Sequence, residues 1–170
     1  MVRLRHAPCP NGAVNLGTMN RARLKRTITQ QPLRALVVDD REDVAMGLAL
    51  MLKKLGHTVQ VAYHALGALQ LGERLRPDVV FLDIGLPDRS GYDVCKEMRQ
   101  SDWGANAFIV AVTGRNEAED MIRAAHSGFD RHVGKPMDLS TLQEIVHTVN
   151  TRAAYPGPQA VTGNDPRPFD

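Results

Sequence analysis

The chain has 170 residues, 43% of them hydrophobic but only 5% aromatic, which is enough for one ordinary domain with a mostly aliphatic core. No apolar run approaches the length of a membrane-crossing helix, so no membrane insertion is expected. Its two cysteines, Cys9 and Cys95, are too few and too far apart for a disulfide framework or a metal knuckle, and a reducing cytoplasm is the expected compartment.

The net charge of +2 hides an asymmetry. Residues 1–32 carry six basic groups (Arg3, Arg5, Arg21, Arg23, Lys25, Arg26) and no acid, whereas residues 33–150 carry 13 basic and 17 acidic groups. The first 32 residues show no sustained helical or strand period, lack the apolar core of a secretory signal, and are too few for a core of their own. They are expected to be a disordered basic leader. A transit peptide, or a basic arm for nucleic acid or an anionic membrane surface, are the functional alternatives.

From residue 33 to residue 150 strands and helices alternate five times. Leu33 to Val38 reads as a strand ending on Asp39-Asp40. Val44, Leu48, Met51, Leu52 and Leu55 recur at helical spacing, and Gly56 ends that helix. His57 to Ala62 is a second strand. Ala65 to Leu75 is a helix with Ala68, Leu69 and Leu75 inward, broken by Arg76-Pro77. Val79 to Asp83 is a short unbroken apolar run that stops on a carboxylate, the pattern of a strand buried on both faces.

Ser90 can cap a third helix with Val94, Cys95 and Met98 inward. Ala107 to Val112 is a fourth strand leading to Thr113-Gly114. Asn116 can cap a fourth helix that closes at Ser127-Gly128. Phe129 to Val133 is a fifth strand leading to Gly134-Lys135-Pro136. Asp138 can cap a last helix with Leu142, Ile145, Val146 and Val149 inward. Residues 151–170 read as a polar, proline-rich, disordered tail. The alternation predicts an α/β fold, a parallel sheet with helices on both faces.

In such a sheet the carboxyl ends of the strands share one rim, where ligands bind. That rim would collect Asp39 and Asp40, Asp83, Thr113 and Lys135. Two carboxylates about 4 Å apart repel by on the order of 4 kcal/mol at an effective dielectric of about 20. Either some protonate or a cation offsets them. An all-oxygen cluster suits a hard ion such as Mg²⁺. Lys135 is a second offset that can also hold a phosphoryl oxygen, and Thr113 adds a hydroxyl. Carboxylates accept phosphoryl groups covalently, and that transfer needs mainly positioning and charge neutralisation.

The Asp39-Asp40 pair, Asp83 with Ile84-Gly85-Leu86-Pro87, Thr113-Gly114 and Lys135-Pro136, in this order and each at a predicted strand end, resemble the receiver domain of two-component response regulators, of the stand-alone chemotaxis type. The resemblance spans 33–150. It implies a flavodoxin-like (βα)5 fold, doubly wound, with strand order 2-1-3-4-5. It implies Asp83 as phosphoacceptor, Mg²⁺ held by Asp40 directly, by Asp39 mainly through water, by Asp83 and by the Gly85 carbonyl, and Thr113 and Lys135 as partners of the phosphoryl group. A cis Lys135-Pro136 bond is also implied.

The same resemblance makes a histidine kinase or phosphotransfer protein the donor, with an unnamed downstream protein as target. The output face would be formed by the fourth helix, fifth strand and last helix, and phosphorylation-dependent dimerisation stays open. His132 stands where the family often has a switching Tyr or Phe. Gly85 and Arg115 flank the path of attacking water and offer no carboxylate or amide, which implies slow self-dephosphorylation. Of the other imidazoles, His57, His64, His126 and His147 read as surface or capping residues, and Trp103 as packing over the third helix.

Three competing readings are weaker. A haloacid-dehalogenase-type hydrolase would want an acid two residues after its nucleophile, where this chain has Gly85. A nucleotide- or flavin-binding module would want glycines or hydroxyls after the first strand, where Asp39 to Asp43 is strongly acidic. A receiver that regulates nucleic-acid binding through the leader rests on six charges alone, and nucleic acid is not expected as a partner.

Overall fold

The computed structural model describes residues 31–114 and 126–154. Five parallel strands form one sheet in the order β2-β1-β3-β4-β5. They are β1 (Arg34–Val38), β2 (Thr58–Ala62), β3 (Val79–Asp83), β4 (Phe108–Thr113) and β5 (Arg131–Gly134). Helices α1 (Glu42–Lys54), α2 (Ala65–Leu75), α3 (Gly91–Gln100) and a C-terminal helix (Leu139–Ala154) cover it. The predicted helix from Asn116 lies almost wholly outside the described residues, as do the basic leader up to residue 30 and the tail from residue 155.

Two apolar clusters sandwich the sheet. Leu36, Val80, Leu82, Ile109 and Ala111 face α2 and α3, and Val37, Val79, Phe81, Val110 and Val112 face α1 and the C-terminal helix. This division follows the two-residue period of each strand. β3 and β4 are buried along their whole length, which is why they read as unbroken apolar runs rather than as alternating ones.

Helix faces were legible to within one residue. On α1 the buried residues are Ala45, Leu48, Ala49 and Leu52, so the inner face is turned toward two alanines that let the helix lie close to the sheet. Val44 and Met51 are left half-buried at its edge. On α2 the buried residues are Ala65, Ala68 and Gly72, with Leu69 and Leu75 partly covered. Arg76 ends α2 in the left-handed conformation (φ 47°) rather than the extended one usual before proline, and its N–H donates to the Gly72 carbonyl at 2.8 Å.

Trp103 is buried in the loop after α3. It packs on α2 as well, where a Cβ at Gly72 would run into the indole. Ser90 occupies the N-cap of α3 but its side chain makes no capping bond. Asp138 does cap the last helix, accepting from the Thr141 N–H at 2.7 Å. His57 is the clearest departure from expectation: it is buried, and its Nδ1 accepts the Leu33 N–H at 3.2 Å, closing the start of β1 over the end of α1.

Candidate functional site

Strand register brings the predicted rim together. Val38 pairs with Leu82, Asp83 with Val112 and Thr113 with Gly134, so Asp39, Asp83, Thr113 and Lys135 all emerge at the carboxyl edge. The Lys135 N–H donates to the Thr113 carbonyl at 2.7 Å, carrying the ladder one step beyond β5. The Lys135–Pro136 bond is cis, as the resemblance implied.

The lysine head lies between two carboxylates. Lys135 Nζ is 2.6 Å from Asp39 Oδ2 and 2.9 Å from Asp83 Oδ2. Burial works against its charge, but the bonds to Asp39 and Asp83 outweigh that and hold its pKa above the usual lysine value. Asp39 is 3% exposed, and its second oxygen accepts the Arg41 N–H at 3.1 Å. Asp83 is 6% exposed, and its second oxygen accepts the Gly85 N–H at 3.1 Å. Asp40 is exposed, yet one carboxylate oxygen from each of Asp39, Asp40 and Asp83 lies within 4.8 Å of the others.

Three carboxylates thus cluster where one ammonium pairs with only two of them, Asp39 and Asp83. The set is all oxygen, in excess negative charge and open to solvent through Asp40, which fits a hard divalent cation. Gly85 leaves the space over Asp83 clear: a Cβ there would sit 3.8 and 3.9 Å from the Asp83 carboxylate oxygens. Beside Lys135 a cleft of about 440 Å³ opens between α1 and Pro136-Met137, walled by Val44, Leu48, Met51 and Phe81.

Thr113 is buried at the end of β4, on the same rim. His132 is half-buried on β5, and its Nε2 is enclosed without a hydrogen-bond partner among the described residues. Arg115 lies outside the described residues. Two contributors escaped the sequence reading. Gly91 starts α3 directly against β3, where any Cβ would run into the Asp83 carbonyl oxygen and the Ile84 backbone. The Ser90-Gly91 pair announces a turn but not that approach. Asp88 leaves its own loop to accept the Ala65 N–H of α2 at 2.9 Å, a contact across 23 residues that local pattern cannot reveal.

Residues 35–147 match the response regulator receiver domain family. Among solved structures, a protein assigned as a response regulator, from Chloroflexus aurantiacus, is 30% identical with a TM-score of 0.67, covering 72% of this chain and 100% of that one. A two-component response regulator from Clostridium difficile is 28% identical with a TM-score of 0.66, covering 71% and 97%. The receiver domain of a sensor histidine kinase from Pseudomonas aeruginosa, solved with magnesium ion coordinated in the active site cleft, is 26% identical with a TM-score of 0.65, covering 71% and 98%.

These matches do not favour the hydrolase alternative. Receiver domains act as signalling phosphoacceptors that meet histidine kinases or phosphotransfer proteins, and they bind Mg²⁺ at an acidic site. Among the described residues no helix is long and apolar enough to cross a membrane. The sheet order, the acidic rim with its lysine and a family match over more than half of the chain make this protein a member of the response regulator receiver domain family, a receiver of two-component signalling.

Proposed function

We propose that Asp83 is the phosphoacceptor and that Asp39, Asp40, Asp83 and the Gly85 carbonyl hold Mg²⁺. The observation that carries this reading is the lysine bridge: Lys135 Nζ lies 2.9 Å from Asp83 and 2.6 Å from Asp39 on a rim that still carries excess negative charge. When bound, Mg²⁺ supplies positive charge to the phosphoryl oxygens. An Asp83 carboxylate oxygen attacks the phosphorus of a phosphohistidine on a kinase or phosphotransfer protein. The O–P bond forms, the P–N bond breaks, and the imidazole leaves and takes up a proton. Lys135 then exchanges its Asp83 contact for a phosphoryl oxygen, and the Thr113 hydroxyl donates to another.

Lys135 follows directly on β5, so its shift and that of Thr113 pull on the β4–β5 edge where His132 sits. That edge, with the C-terminal helix and the segment before residue 126, is the proposed output face for a downstream protein or a second copy of this chain. The reading places the protein in the cytoplasm, as a signalling module whose own catalysis is limited to gaining and losing this phosphoryl group. Incubation with Mg²⁺ and a small-molecule phosphodonor, followed by intact mass, tests it: wild type gains about 80 Da and Asp83→Asn does not. An unchanged wild-type mass beside a labelled control receiver would overturn it.

A further inference from the structure

The loop from Ile84 to Ser90 carries the Gly85 carbonyl, and it is tied down at three points. The Gly91 N–H donates back to the Ile84 carbonyl at 3.0 Å. Leu86 is buried in the cluster shared with Ala62 and Ala65. Asp88, itself exposed, reaches across to the first residue of α2 and accepts the Ala65 N–H at 2.9 Å. The first N–H groups of a helix have no partner within it. At α2 the His64 Nδ1 takes the Gly67 N–H at 3.0 Å, and Asp88 takes that of Ala65, a residue only 2% exposed. A donor so placed is costly to leave unpaired, so the bond fixes the loop as much as it caps the helix.

We propose that Asp88 is a positioning residue for the metal site, holding the Gly85 carbonyl in its ligating orientation by capping α2 from the phosphoacceptor loop. The proposal rests on the reading that Asp83 and Gly85 ligate Mg²⁺. Outer partners of this kind tune metal affinity without touching the ion. Asp88 is bonded to α2, and α2 packs on β1 through the core, so the loop borrows its rigidity from the sheet rather than from its own short length.

The experiment titrates the full chain with MgCl₂ alone and follows the backbone amides of residues 83–86 and 88–91 by NMR. Wild type should show saturable shifts. Asp88→Ala should bind about 5- to 10-fold more weakly. Asp88→Asn keeps an acceptor oxygen and should stay within about twofold of wild type.

Ala65→Pro removes the donor from the other side. Proline is well tolerated at the first helical position, and His64 before it is already extended (φ −155°, ψ 161°), the conformation a pre-proline residue takes. This variant should weaken Mg²⁺ binding as Asp88→Ala does, and the double variant should be no weaker than either single one.

Unchanged affinity in Asp88→Ala or in Ala65→Pro would overturn the proposal. So would equal losses in Asp88→Asn and Asp88→Ala, which would assign the effect to lost charge near the cation. Wild type without saturable shifts would instead remove the metal reading itself, and the proposal with it.

Discussion

The two ends of the same sheet use charge in opposite ways. At the amino end, Arg99 donates to the Gly128, Gly104 and Ala107 carbonyls at 2.6–2.7 Å and to Asp130 at 2.6 Å. Asp130 in turn accepts the Ile109 N–H and the Arg152 guanidinium, each at 2.8 Å. Nearby, Arg34 forks onto Asp78 with two 2.8 Å contacts, one from its backbone N–H and one from its guanidinium. Each of these carboxylates has a cation and a backbone donor of its own. At the carboxyl end Asp39 and Asp83 share Lys135, and Asp40 lies beside them with no contact to that lysine. The amino end spends its charges on closing the fold, and the carboxyl end leaves negative charge unbalanced, which is the capacity to take up a cation.

The contrast is broken most directly at the carboxyl end. Asp83→Asn should abolish phosphoryl uptake while leaving the thermal midpoint equal to or above that of wild type, because it relieves repulsion among crowded acids. A clear fall in the midpoint would mean that Asp83 serves the fold. Lys135→Met should lower the rate of phosphorylation by a small-molecule donor on the order of 100-fold, the scale of losing one preorganised charge contact to a transferring group.

Arg99→Ala belongs to the other end. It strips four acceptors at once and should cost about 2–3 kcal/mol in denaturant unfolding, with Asp83 still phosphorylated at low temperature.

The smallest effect concerns pH. Burial lowers the pKa of His57 below its usual 6.5, and its Nδ1 must stay unprotonated to accept the Leu33 N–H. The unfolded chain therefore binds the proton more readily than the folded one. The His57 contribution is fully present above about pH 6.5 and is lost as pH falls below it toward the folded value. Unfolding free energies measured from about pH 7.5 to about pH 5.5 should decline in wild type, and His57→Gln should flatten that decline.

Strand ends were the most legible part of the molecule. A buried parallel strand must be an apolar run and must stop at the rim, so Asp39, Asp83, Thr113 and Lys135 were located by where hydrophobicity ceases. What stayed hidden depends on contacts between distant segments. The inner face of α1 is offset by one residue because alanine carries little hydrophobic signal, yet Ala45 and Ala49 are what let the helix sit close.

His57 resembled a surface residue because the Leu33 N–H that its side chain accepts lies 24 positions away. Asp88 drew no notice in the sequence for the same reason: its partner, the Ala65 N–H, is 23 positions away. Gly91 looked like turn chemistry, whereas its lack of a side chain is demanded by the Asp83 carbonyl. Cys95, expected as a small core hydrophobe, is fully buried, and burial pushes its thiol pKa up to about 12.

The central claim is that one carboxylate, at the end of β3, takes the phosphoryl group. Borohydride reduction of the phosphorylated protein converts an aspartyl phosphate to homoserine, which peptide mass spectrometry locates to a single residue. The account predicts homoserine at position 83 in samples that received Mg²⁺ and phosphodonor together, and in neither single omission. Homoserine at position 39 or 40, or an unmodified Asp83 in a protein that carries the adduct, would contradict it.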